Sequence, residues 1–308
     1  MARPNRALDP VFSTAPPPTR LSGIALAGLR ILAGLMWLYN VVWKTPPDFG
    51  ENGRGGLCRF THFAVDHPVF PPYSWLVEHV VLPNFTAFGW LVLVVETLLA
   101  VLLLTGTAVR LAALIGVGQS LAITLSVAEA PGEWPWAYAM MVGIHLVLLL
   151  TPCAQYAAVD AIRAAAVAGN RAPVARRLLG GWGVIIALIG IIAVAQSVAD
   201  DDWLAPHGRL VGYQKLEFSL GNYNLLAALV LLGVSVLMIA AALMQNRLLA
   251  LSAAVIAAAA AVSIYIQLGR TAIWLGGTAT TAAVFVCAAV VAVGARQLRT
   301  VSSETRGA

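Results

Sequence analysis

Residues 22–43 read SGIALAGLRILAGLMWLYNVVW and residues 85–104 read FTAFGWLVLVVETLLAVLLL, two apolar runs that each carry one full charge, Arg30 in the first and Glu96 in the second. A hydrocarbon layer about 30 Å thick takes about 20 helical residues at about 1.5 Å each, so either run has the length of a membrane span. One charge at the centre of such a helix costs about 2.5–3.5 kcal/mol on insertion scales. A chain carries two only where they offset one another or face protein or water. The fold to expect is therefore a polytopic helical membrane protein that buries both charges among its own helices.

Composition points the same way. With 60% hydrophobic and 11% charged residues over 308, and a mean hydropathy of +0.83, the chain has too little polar surface for a soluble globule. The length rule yields eight expected spans, 22–43, 85–104, 111–128, 136–152, 179–197, 223–244, 248–268 and 273–294. A membrane β-barrel would alternate apolar and polar residues, whereas Ala253 to Val262 is apolar all round, so the spans are helices.

Basic residues set the expected orientation. Arg3, Arg6 and Arg20, then Arg110, then Arg163, Arg171, Arg176 and Arg177, then Arg247, then Arg296, Arg299 and Arg306 all fall on one side. The other side mixes Lys44, Arg54, Arg59, Arg209, Lys215 and Arg270 with Asp48, Glu51, Asp66, Glu78, Glu129, Glu133 and the run Asp200, Asp201, Asp202. Both termini are then cytoplasmic, and the formal charge of +5 reflects loops near anionic lipid and not a nucleic-acid surface. Two lysines against seventeen arginines suit a GC-rich coding bias and hence a bacterial plasma membrane. No cleavage site follows the first run, which reads as a retained helix.

The expected layout is a disordered cytoplasmic tail at 1–20, a four-helix bundle at 21–155, a cytoplasmic linker at 156–178, a second four-helix unit at 179–296 and a tail at 297–308. Each half runs helix, long outer loop, helix, short inner turn with one arginine (Arg110 or Arg247), helix, short outer turn, helix, the pattern of two tandem parallel units. Gly180, Gly181 and Gly183, with Gly276 and Gly277, suit close helix packing. Ser263, Gln267, Thr278, Thr280 and Thr281 in the second half either satisfy helix backbones or line a vestibule.

Cys58, Cys153 and Cys287 are isolated and make neither a disulfide framework nor a zinc site; no metal is expected. C-x-x-C-H, an iron–sulfur cysteine run and G-x-G-x-x-G after a strand are all missing. Electrons passing through this chain therefore need a diffusible quinone or a partner redox subunit. Counted from the cytoplasmic face, Arg30, Glu96, Gln119 and His145 each lie about 10–12 Å deep, which suggests one polar layer. Arg30, Gly34, Trp37, Val41 and Lys44 share a helical face, and Ala112, Gly116 and Ser120 form a small-residue stripe beside Gln119. Arg30 and Glu96 read either as a structural ion pair that fixes helix order or as part of a site; His145 reads as a core histidine or a proton carrier.

The stretch Leu29 to Trp37, with Lys44, Glu96-Thr97-Leu98, Leu104-Thr105-Gly106 and Arg110 to Ala113, resembles the DoxX/DoxD family of four-helix bacterial membrane proteins. Arg30, Gly34, Lys44, Glu96, Gly106 and Arg110 carry the resemblance, which covers about residues 21–155; residues 179–294 have no counterpart in the minimal family unit. It implies a link to the quinone pool, with DoxD-like members associated with thiosulfate:quinone oxidoreductase. In such a site Glu96 and His145 would be the catalytic proton-transfer groups, and Arg30, Gln119 and Lys44 would bind quinone or substrate. Lys44, Arg54 and Arg59 around Cys58 read as an entrance for an anionic substrate or as solvated surface charge, Asp200 to Asp202 as an acidic loop or cation site, and Tyr73 to Leu82 as an interfacial segment. The rival class is a non-enzymic scaffold, assembly factor or small-molecule carrier.

Overall fold

The computed structural model describes residues 19–53, 55–199, 202, 205, 219–270 and 274–296. The expectations for the two tails, for Arg54, Arg209 and Lys215, and for Asp200 and Asp201 lie outside them. The described chain is helical: α1 Arg20–Val42, α2 Gly56–Asp66, α3 Pro71–Leu76, α4 Phe85–Thr105, α5 Val109–Val127, α6 Pro135–Leu150, α7 Val159–Val167, α8 Arg171–Val198, α9 Leu225–Met244, α10 Arg247–Gln267 and α11 Ala279–Gly294. Six stretches are long and apolar enough to cross a membrane: α1, Pro71–Thr105, α5, α8, α9 and α10. The remaining two expected spans, 136–152 and 273–294, overlap α6 and α11, apolar helices of 16 residues each, about 24 Å long, the second starting six residues later than expected.

The chain divides into two compact units. The first takes the described residues up to 104, then 108–156 and 268–270; the second takes 105–107, 157–267 and 271 onward as far as described. In the first unit, Pro71 opens a helical course that continues to Thr105 and takes in the stretch 73–82. Pro83 explains its irregularity. Proline has no N–H to give and its ring collides with the carbonyl four residues back, so the backbone widens into a π turn at Val77–Val81 and tightens into a 3-10 turn at Leu82–Asn84 before α4. The residue before α5, Ala108, and Gly106 both take positive φ (46° and 66°), which makes the reversal after α4 abrupt.

Close packing is set by glycines. A Cβ on Gly34 would lie 2.8 Å from Leu104 Cγ and 3.0 Å from its backbone N, so α1 and α4 touch backbone to backbone at that level. Gly89 of α4 receives the ring of Phe49, whose Cδ2 would be 2.3 Å from an added Cβ. That ring also meets Trp90 edge-on, and with it the segment after α1 is folded onto α4.

In the second unit α8 and α9 run antiparallel, with Gly183 against Ile239 and Gly190 against Leu232; Gly180 is near Ala242, while Gly181 faces open space. α8 begins at Arg171, earlier than the expected span, so Arg171, Arg176 and Arg177 are helical. Arg176 Nε donates to the Ala242 carbonyl at 3.2 Å, satisfying one of the orphan carbonyls at the end of α9. Among the polar groups of this half, Thr278 caps α11 in a capping box with Thr281, Thr281 Oγ1 donates to the Asn222 carbonyl at 2.6 Å, and Gln267 turns back on Ser263. They satisfy backbone.

Asn224 caps α9, accepting from Ala227 N–H at 2.8 Å while its amide donates to the Trp274 carbonyl at 2.8 Å. Asn224→Ala removes both bonds at a buried site, and an expected loss of about 1–2 kcal/mol follows. Thermal unfolding in detergent checks it; an unchanged midpoint would show that the cap contributes nothing.

Candidate functional site

Two polar clusters sit in the first unit. In the first, α4 delivers Glu96 to the Lys44 ammonium, which contacts Oε2, while Oε1 accepts from Gln119 Nε2 of α5 at 3.2 Å. Lys44 stands just beyond α1 and folds back along it. Its Nζ donates to the Asn40 carbonyl at 2.9 Å and lies 3.8 Å from the centre of the Trp43 ring, a cation–π contact. The lysine and glutamate side chains are 2% and 1% exposed. Burial pulls the Lys44 amine below its ordinary range, and the Glu96 carboxylate and its hydrogen bond oppose that pull.

The second cluster joins α1, α5 and α6. His145 Nδ1 lies 2.7 Å from the Met141 carbonyl, one helical turn back, and Nε2 lies 2.8 Å from Trp37 Nε1. A carbonyl only accepts and an indole N–H only donates, so this pattern requires the neutral imidazole with its proton on Nδ1. Ser120 Oγ is 3.5 Å from Nδ1. Gly116 makes the room: an added Cβ would be 2.1 Å from His145 Cδ2. The small-residue stripe Ala112, Gly116, Ser120 is the buried face of α5, and α6 packs against that helix.

The structure separates Arg30 from Glu96. Gly34 marks the level of Leu104 in the antiparallel pair α1 and α4. Glu96 lies about 12 Å along α4 on one side of that level and Arg30 about 6 Å along α1 on the other, so the two are about 18 Å apart in height. Arg30 is fully buried and donates from Nη2 to the Tyr156 carbonyl at 3.2 Å. Counting every helix from one common face was the source of the error, because α1 and α4 do not end at one level. A single layer of Arg30, Glu96, Gln119 and His145 is thus replaced by Lys44–Glu96–Gln119, Trp37–His145–Ser120, and Arg30 at Tyr156.

Of the expected entrance, Lys44, Arg59 and Cys58 are among the described residues. Lys44 is turned into the bundle, Arg59 lies over the Phe63 ring at 5.6 Å, and Cys58 is buried with Sγ 3.6 Å from His62 Nδ1. Sequence reasoning passed over Asn40, Trp43 and Ser120 as partners and gave Trp37 no task. Their signal was available: Trp37 and Lys44 share a helical face, and a buried histidine needs a partner at each ring nitrogen. Compared with protein-family models, curated proteins and solved structures, the chain matches none.

Proposed function

We propose that the chain is a DoxX/DoxD-like integral membrane protein acting as the membrane subunit of a quinone-linked oxidoreductase of the thiosulfate type. In this reading α6 and α11 complete eight crossings of a bacterial plasma membrane, with local thinning around the two shorter helices, and both termini are cytoplasmic. The observation that carries it is the ion pair of Lys44 and Glu96, buried in a unit otherwise built of apolar helices. Ionisable groups at such depth are costly, and proton transfer is one of the uses that retain them.

Two thiosulfate ions each give up one electron and join through a new S–S bond as tetrathionate. The quinone takes both electrons, by way of a partner redox subunit, together with two protons. Glu96 and Lys44 form the proton-handling pair, since either can carry the proton they share. Gln119, half-buried and already donating to Glu96, is placed to hydrogen-bond a quinone carbonyl. His145 is held neutral by Trp37, so its part is to position α1 against α6 until that indole moves away.

Glu96→Gln keeps the shape and removes the ionisable group. Thiosulfate-dependent quinone reduction in membranes carrying this variant is expected to fall at least about tenfold. His145→Ala is expected to fall less. A rate unchanged in Glu96→Gln removes the reading.

One observation favours a second reading, that of a non-enzymic scaffold, assembly factor or carrier. Glu96 and Lys44 are each other's partner, and Asn40, Trp43 and Gln119 complete their shells, which is what a device specifying helix packing needs. Purification from native membranes and extraction of bound quinone separates the two: co-purifying quinone with a soluble sulfur-handling subunit supports the enzyme, and neither supports the scaffold.

A further inference from the structure

Within the second unit an open cleft of about 600 Å³ is formed where α7, the start of α8, the first half of α10 and the end of α11 come together. Its chemistry is divided. One part carries the guanidinium side chains of Arg163, Arg171 and Arg296, and the walls are small or apolar residues of α10 and α11, among them Leu251, Ala258 and Val290. α7 is held at the cleft by Val159, whose Cγ1 would be 2.6 Å from a Cβ on Gly294, and by its buried Ile162. Of the three arginines, Arg163 is shared with Asp160 at 3.1 Å and Arg296 touches the Val293 carbonyl at 3.0 Å, so positive charge exceeds negative in the cleft.

We infer that this cleft holds an anionic phospholipid, its phosphate on the arginines and an acyl chain along the wall of α10 and α11. Helix ends fix the height. α8 and α10 begin here and α11 ends here, so the arginines stand at the level of the headgroups and the apolar wall at the level of the tails. A guanidinium grips phosphate in a bidentate, charge-assisted fork, which a zwitterionic headgroup partly neutralises and an anionic one does not. Small residues such as Ala258 leave a groove where larger ones would fill it. The inference needs only the membrane setting and is independent of the quinone site.

The test uses the full chain, delipidated in detergent, and native mass spectrometry after addition of phosphatidylglycerol, of phosphatidylcholine with the same acyl chains, or of inorganic phosphate. Retained phosphatidylglycerol should exceed phosphatidylcholine about tenfold, and millimolar phosphate should not displace it. Arg163→Gln, Arg171→Gln and Arg296→Gln together should abolish the preference. Ala258→Trp, on an exposed wall position and leaving every arginine in place, should lower retention of phosphatidylglycerol at least about fivefold, which keeps the test decisive where the triple variant does not fold. Equal retention of both lipids, full displacement by inorganic phosphate, or wild-type retention in Ala258→Trp would each overturn the assignment.

Discussion

Lys44→Met is expected to cost about 3–5 kcal/mol of stability, because it leaves the Glu96 carboxylate buried without its cation. The lost interactions are specific. Oε2 loses the ammonium, Gln119 is left as the carboxylate's remaining donor, and methionine puts an apolar tip where Asn40 and the Trp43 ring had met a charge. Lys44→Met with Glu96→Met removes the problem together with the pair, so the double variant should return to within about 1 kcal/mol of the parent. Thermal and denaturant unfolding in detergent, run as a cycle over the four proteins, reads the coupling directly. Additive losses would show that the two side chains do not depend on one another. A stable double variant without quinone reduction would assign the pair to function and not to folding.

Gly116→Ala is expected to be nearly as severe, about 2–4 kcal/mol, although it adds a single methyl group. The new Cβ would fall 2.1 Å from His145 Cδ2 and 2.5 Å from Nε2, so the imidazole must leave. With it goes the bond from Trp37, and an indole N–H in a buried position is left unmet. Overpacking at about 1–3 kcal/mol and an orphaned donor at about 1–3 kcal/mol both contribute. His145→Ala vacates the space that the methyl group needs. In that background Gly116→Ala should cost less than about 0.5 kcal/mol, and a full penalty there would mean that the glycine serves a neighbour other than the histidine.

The fold class was legible because hydrocarbon imposes a length and a composition that few other settings share. Runs such as 85–104 and 223–244 declared themselves, and the helices at Phe85–Thr105 and Leu225–Met244 coincide with them within a residue or two. The start of α8 was less legible, since Arg171, Arg176 and Arg177 look like a loop until Arg176 is seen to meet the Ala242 carbonyl at the end of α9. The continuity of 71–84 with the span at 85–104 was not legible, because it depends on the backbone absorbing Pro83 in a widened turn.

The candidate site was legible in its members and not in its pairings. Glu96 and Gln119 do meet, and Lys44 is buried, but the cation on Glu96 is the lysine at the helix end and not the arginine within the helix. Depth counting uses helix boundaries, and an offset of about three turns between α1 and α4 is invisible to it. Long side chains compound the error, because Lys44 folds back along its helix before it meets the carboxylate. The neutral state of His145 was beyond sequence altogether, as it depends on the Trp37 indole of α1 meeting one ring nitrogen while the Met141 carbonyl of its own helix holds the other.

The position of Lys44 beyond the last turn of its helix also bears on biogenesis. While the ribosome is still making the next hydrophobic segment, this ammonium can rest in the aqueous rim, so the first helix enters the bilayer without carrying it inward. Glu96 follows about fifty residues later, a delay of about 3–10 s at the usual pace of translation. The carboxylate then arrives opposite a waiting counter-charge, and Lys44 and Glu96 can enter the bundle together as a neutral pair.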